Sequence, residues 1–163
     1  MKEILVTFVV IAFSACFPTC AVAQAFSEIR KKAVGMVEAK YPESGVRIRE
    51  LTLKREEDKQ AFYNWRIIQN GKQDWIVLKI FYGGSIEEAV KFMEVSNSNI
   101  QVGPGLKRRD LGDEAYFFED ARTEFARIRF RKANVYLDIQ ASSLAEAEEL
   151  ARNIDKFIKK RRR

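Results

Sequence analysis

The chain of 163 residues contains no histidine, and its two cysteines, Cys16 and Cys20, both lie near the amino terminus. Beyond them the commonest general base, the thiol nucleophile and nearly every zinc, copper or iron ligand set are missing, so neither a metal centre nor a cofactor is expected. Enzyme chemistry would have to rest on carboxylates, serine or lysine. The densest acidic run is Asp110, Asp113, Glu114, Glu119 and Asp120. Paired carboxylates can share acid and base roles or hold calcium. Here no EF-hand spacing is present, and Gly112 within the run marks a turn, so strand-edge structure competes with catalysis as the reason for these acids. Ser85 and Ser143 each carry a glutamate three residues on, the relation of a capping box, which accounts for them without chemistry. Gly83 and Gly84 ahead of Ser85 either offer backbone N–H groups to an anion at a helix start or simply turn the chain from strand to helix.

Arginine is the better binding residue. Arg127, Arg129 and Arg131 alternate with apolar residues, which in a strand sets them about 7 Å apart on one face. That spacing suits a ligand with several carboxylates or phosphates. Sideways pairing with Asp138 is the competing reading. Arg66, Lys79, Trp75 and Phe81 fall on the same face by alternation, and with the three arginines they form a candidate ligand-binding surface.

These side chains must be positioned by strands and helices. Phe26, Ile29, Ala33, Met36, Val37 and Tyr41 recur at helical spacing before Pro42, which predicts a first helix over 25–41. Strands are predicted over 46–54, 61–69 and 73–82, the last two joined by Asn70-Gly71, a strong hairpin signal. A second helix follows Ser85, with Ile86, Ala89, Val90 and Met93 along one face. Residues 96–105, rich in serine, asparagine and glycine, form a connector. Strands over 113–120, 123–131 and 134–141 come next. The last helix follows Ser143 and presents Ala147, Leu150, Ala151, Ile154, Phe157 and Ile158.

The stretch Trp65-Arg66-Ile67, Ile76 to Ile80 and the Ser85 helix can be laid over Ala126-Arg127-Ile128, Val135 to Ile139 and the Ser143 helix. The match suggests a β-β-β-α unit used twice. The expected fold is α+β: an antiparallel sheet of about six strands with the second and third helices on one face and the first helix partly over the other. One face would be apolar, from Trp65, Ile67, Ile76, Leu78, Ile80, Ala126, Ile128, Phe130, Val135, Leu137 and Ile139. On the opposite face Trp75, Val77 and Phe81 also need cover, from the first helix, a second subunit or a ligand.

The amino terminus has a charged start, an apolar run over 4–17 and Ala21-Val22-Ala23 before Gln24, the layout of a cleavable secretory signal over 1–23 with cleavage between Ala23 and Gln24. The run is shorter than the roughly 20 residues a spanning helix needs. Lipid attachment at Cys16 is the minor alternative. The remainder divides into one α+β domain over 24–158 and a basic tail, Lys159, Lys160, Arg161, Arg162 and Arg163. These five account for most of the formal +6 charge, because 24 other basic residues stand against 23 acidic ones. A basic tail is either solvated or attracted to anionic lipid or another polyanion. An exported domain free of thiols fits a periplasmic or secreted bacterial setting, where nucleic acid is not an expected partner.

Asp110-Leu111-Gly112-Asp113-Glu114-Ala115-Tyr116, then Arg131-Lys132-Ala133-Asn134-Val135 and an alanine- and glutamate-rich helix, resembles a pattern in uncharacterised bacterial envelope or secreted domains, G-L-G-D-E-A with an aromatic residue followed by R-K-G-N-V. Asp110 and Ala133 stand where those domains carry glycine. The resemblance covers the carboxyl-terminal third and implies an envelope location and a fold, without a mechanism. The leading functional reading is an exported, non-enzymatic binding or accessory domain that contacts an anionic small molecule, an envelope polyanion, a protein partner or a second copy of itself. Its alternatives are a carboxylate-dependent hydrolase and a structural envelope protein held by its basic tail.

Overall fold

Alternation of apolar and polar residues builds the centre of the molecule. The computed structural model describes residues 17–42, 45–52, 59–69, 72–98, 105–120 and 125–161. In chain order the elements are α1 (Phe17–Lys40), β1 (Gly45–Thr52), β2 (Lys59–Gln69), β3 (Lys72–Tyr82), α2 (Ile86–Ser98), β4 (Leu106–Arg108), β5 (Glu114–Asp120), β6 (Phe125–Lys132), β7 (Val135–Ala141) and α3 (Leu144–Arg161). The strands form one antiparallel sheet in the order β1-β2-β3-β7-β6-β5-β4. Six strands match the expected ones. The seventh, β4, is three residues long, too short to leave a period in the sequence.

All eleven residues assigned to the apolar face are buried. Trp65 and Tyr63 stack there with ring centroids 5.4 Å apart. Two helices cover this face, as expected, but they are α1 and α3 rather than the second and third. Phe26, Ile29, Ala33 and Val37 of α1 and Ala147, Leu150, Ala151, Ile154 and Ile158 of α3 share its core. On the opposite face α2 packs Ala89, Phe92 and Met93 over Phe81 and Tyr136. The reason lies in the apolar residues of that face: Phe81 and Tyr136 are direct cross-strand neighbours and need a helix, and α2 leaves β3 beside them. Strands β3 and β7, each followed by a helix, meet at the centre of the sheet, and those helices, α2 and α3, lie on opposite faces.

Local signals set the helix ends. Ser85 Oγ accepts from Glu88 N at 3.2 Å, and Ser143 Oγ accepts from Glu146 N at 3.2 Å, so each serine satisfies an otherwise orphaned donor. Helix α3 continues through Arg161, so Lys159, Lys160 and Arg161 form its last turn rather than a tail. Lys159 pairs with buried Asp155 at 2.6 Å. The expected cleavage junction, Ala23-Gln24, falls within α1. The Asn70-Gly71 turn lies outside the described residues, but pairing of Gln69 with Lys72 brackets it. Residues 1–16 with Cys16, the connector residues 99–104, and Arg162 and Arg163 also lie outside them. No described helix is long and apolar enough to cross a membrane.

Two left-handed positions shape the far end of the sheet. Gly112 has φ 63°, and Ala133, in the β6–β7 turn, has φ 54°. A side chain there costs about 1–2 kcal/mol, and Ala133 carries a methyl group at such a position. Asp113 holds the turn together. Its carboxylate accepts from Ala133 N at 2.7 Å and from Lys132 Nζ at 2.5 Å, while Arg131 Nη1 donates to the Ala133 carbonyl at 3.0 Å.

Candidate functional site

The predicted binding residues share one sheet face, the one that α2 partly covers. The register runs Phe62–Lys79–Asp138–Arg129–Tyr116 across one row and Asn64–Val77–Gln140–Arg127–Phe118 across the next, with Arg66 opposite Trp75 beyond. The structure therefore brings Arg66, Trp75, Lys79, Arg127 and Arg129 together. Phe81 and Arg131 sit on the same face at its α2-covered end. Phe81 is buried, stacked on Phe92 with centroids 4.1 Å apart, and Arg131 serves the Asp113 turn.

Asp138 is the hub. Its Oδ1 accepts from Arg127 Nε at 2.7 Å and its Oδ2 from Arg129 Nε at 3.1 Å. Both Asp138 and Arg129 are buried, so the attraction is little screened. Arg129 Nη1 also donates to the Ser96 carbonyl and to Asn97 Oδ1 near the end of α2, tying that helix end to the sheet. Gln140, with its amide oxygen turned inward, accepts from Arg127 Nη2 at 2.5 Å. Sideways pairing thus accounts for two of the three arginines.

Lys79 is different. Half-buried, it places Nζ 5.0 Å from the Phe92 ring centroid. Burial lowers its pKa; Asp138 pulls the other way, and the charges of Arg129 and Arg127 lower it further. Beside it the face is open and apolar: Trp75 is 45% exposed and Phe62 38%, and Trp75 lies against Phe125 with centroids 5.0 Å apart. Arg47 and Arg49 were not among the predicted site residues; in the β1–β2 register they stand opposite Asn64 and Phe62. Their signal was present in the sequence, the same alternation as Arg127 to Arg131.

Of the acidic run, Asp110, Asp113 and Glu114 have structural roles, and the side chains of Glu119 and Asp120 lie outside the described ones. Asp110 accepts from Arg108 Nε at 2.9 Å and from Arg152 Nη2 at 2.5 Å, which hold its carboxyl well below the usual range. Glu114 accepts from the Tyr116 hydroxyl at 2.9 Å. Among the described residues no acidic cluster gathers in metal-binding geometry. For Asp113, burial raises the pKa, but the Lys132 bond, the Ala133 N–H and the charges of Lys132 and Arg131 outweigh it and hold the group below its ordinary value. A depressed folded-state pKa contributes stability that is present above the unfolded value of about 3.9 and lost as pH falls through the folded one. Thermal unfolding should therefore occur at a lower temperature at pH 3 than at pH 6, and Asp113→Asn should shrink that difference while costing about 1 kcal/mol at pH 6.

A shallow concavity lies between α1 and α3 over Met36, Val37, Ile76 and Leu150. Its rim pairs Lys40 with Glu149 at 2.7 Å and the Tyr41 hydroxyl with Glu146. Comparison with protein-family models, curated proteins and solved structures returns no match for this chain.

Proposed function

We propose that the protein is an exported, non-enzymatic binding or accessory domain of the bacterial envelope that meets an anionic ligand or partner through the open half of the α2-bearing sheet face. The basic end of α3 is a second contact surface. The observation that carries this reading is the gathering of Arg66, Lys79, Arg127 and Arg129 on that face beside Trp75 and Phe62, whose rings are exposed. Opposite charge recruits and orients a ligand, and desolvated aromatic surface adds affinity.

Export rests on the signal-like residues 1–23 and on the envelope resemblance of the carboxyl-terminal third. Cleavage after Ala23 would retain every α1 residue of the core, from Phe26 to Val37. Native mass spectrometry of the protein recovered from its own envelope tests both parts. The expected species begins at Gln24 and retains an anionic molecule that added salt displaces. An unprocessed chain in the cytosol, bare of ligand, would overturn the proposal, and a lipid-modified Cys16 would move the anchor to the amino terminus.

A further inference from the structure

Lys79 faces Asp138 directly across the β3–β7 pair, the position from which a lysine ordinarily forms a cross-strand ion pair. Both Asp138 oxygens are already taken by arginines, and among the described residues no carboxylate pairs with Lys79. From Lys79 the same strand face continues through Val77 to Trp75, a run of about 13 Å. Phe62 flanks this run on β2, Phe125 closes its far end against Trp75, and Phe92 of α2 walls the Lys79 end.

We propose that this trough binds a free amphipathic anion, an acyl chain ending in a carboxylate, with the carboxylate at Lys79 and the chain laid over Val77 and Trp75. The inference rests on the reading of this face as the binding surface and names what it takes. Charge and apolar area together select the class. Arg127 and Arg129 direct donors to Asp138, Gln140 and the end of α2, so the cation at the head of the trough is the half-buried Lys79 ammonium, a partner for a single anionic group. The exposed rings of Trp75 and Phe62 would gain nothing from a phosphate chain but would be covered by an alkyl one.

Calorimetry on the purified protein tests this with dodecanoate below its micelle threshold, dodecyltrimethylammonium as the chain of opposite charge, and tripolyphosphate as an anion without a chain. Dodecanoate is expected to bind and to shift Trp75 emission to the blue, since Trp65 is already fully buried. Binding of dodecyltrimethylammonium should be weaker by about tenfold or more, and Lys79→Met should weaken dodecanoate by a similar factor, the scale of one charge-assisted hydrogen bond. Trp75→Ala, at an exposed position, should also weaken it and serves if Lys79→Met does not fold. Equal affinity for the two amphiphiles, or dodecanoate binding that neither variant changes, would overturn the inference. Binding of tripolyphosphate without dodecanoate would overturn it while leaving the face as an anion-binding surface. If neither anion binds, both the inference and the proposed function fall.

Discussion

Asp138→Ala is expected to cost the fold about 3–5 kcal/mol, because removing one member of a buried ion pair strands the other. Arg129 is 5% exposed, and without Asp138 its guanidinium would keep, among the described residues, the Ser96 carbonyl and Asn97 as acceptors. Arg127 and Lys79 would then add repulsion with no anion between them. Urea unfolding measures the loss. The double variant Asp138→Ala/Arg129→Met should recover part of it, since a buried pair replaced by apolar groups is often close to neutral. A double variant as unstable as the sum of the two single ones would show that Asp138 does not act as the counter-ion of Arg129.

Gly112→Ala should cost about 2–4 kcal/mol, from the left-handed backbone and from crowding together. A Cβ at this position would lie 2.5 Å from the Arg131 carbonyl oxygen and 3.1 Å from the Phe130 ring. That carbonyl accepts from Asp113 N at 2.8 Å, so the added methyl would pry the start of β5 from the end of β6. Gly35→Ala is the matched control. Gly35 is exposed within α1 and has nothing near its Cβ position, so alanine there should stabilise by about 0.5–1 kcal/mol. Thermal unfolding of the two variants should therefore move in opposite directions, and equal shifts would remove the backbone argument at Gly112.

Alternation along β2, β3, β6 and β7 was legible because each has one face in a core and the side-chain period is 2. Helix starts at Ser85 and Ser143 were legible because a cap is a local event. The side of the sheet taken by each helix was not. Helices α1, α2 and α3 all carry an apolar stripe, and the choice between faces depends on which strands end up central, a long-range outcome. Strand β4 is held by pairing to β5 rather than by its own pattern. At the candidate site, alternation placed the cations on one face. How Asp138 divides itself between Arg127 and Arg129, leaving Lys79 over, depends on a pairing between β6 and β7 and on the descent of α2, which no local pattern encodes.

The strand order carries a consequence for the timing of synthesis. Strands β3 and β7 are neighbours at the centre of the sheet, yet β7 is the last strand to be made and α3 follows it to near the chain's end. Ribosomes add about 5–20 residues per second, so for the seconds that separate Tyr82 from Val135 the earlier half has no central partner and no complete core. The central pairing of the sheet can therefore form only after β7 has been made, when Val135 to Gln140 first meet Val77 to Tyr82.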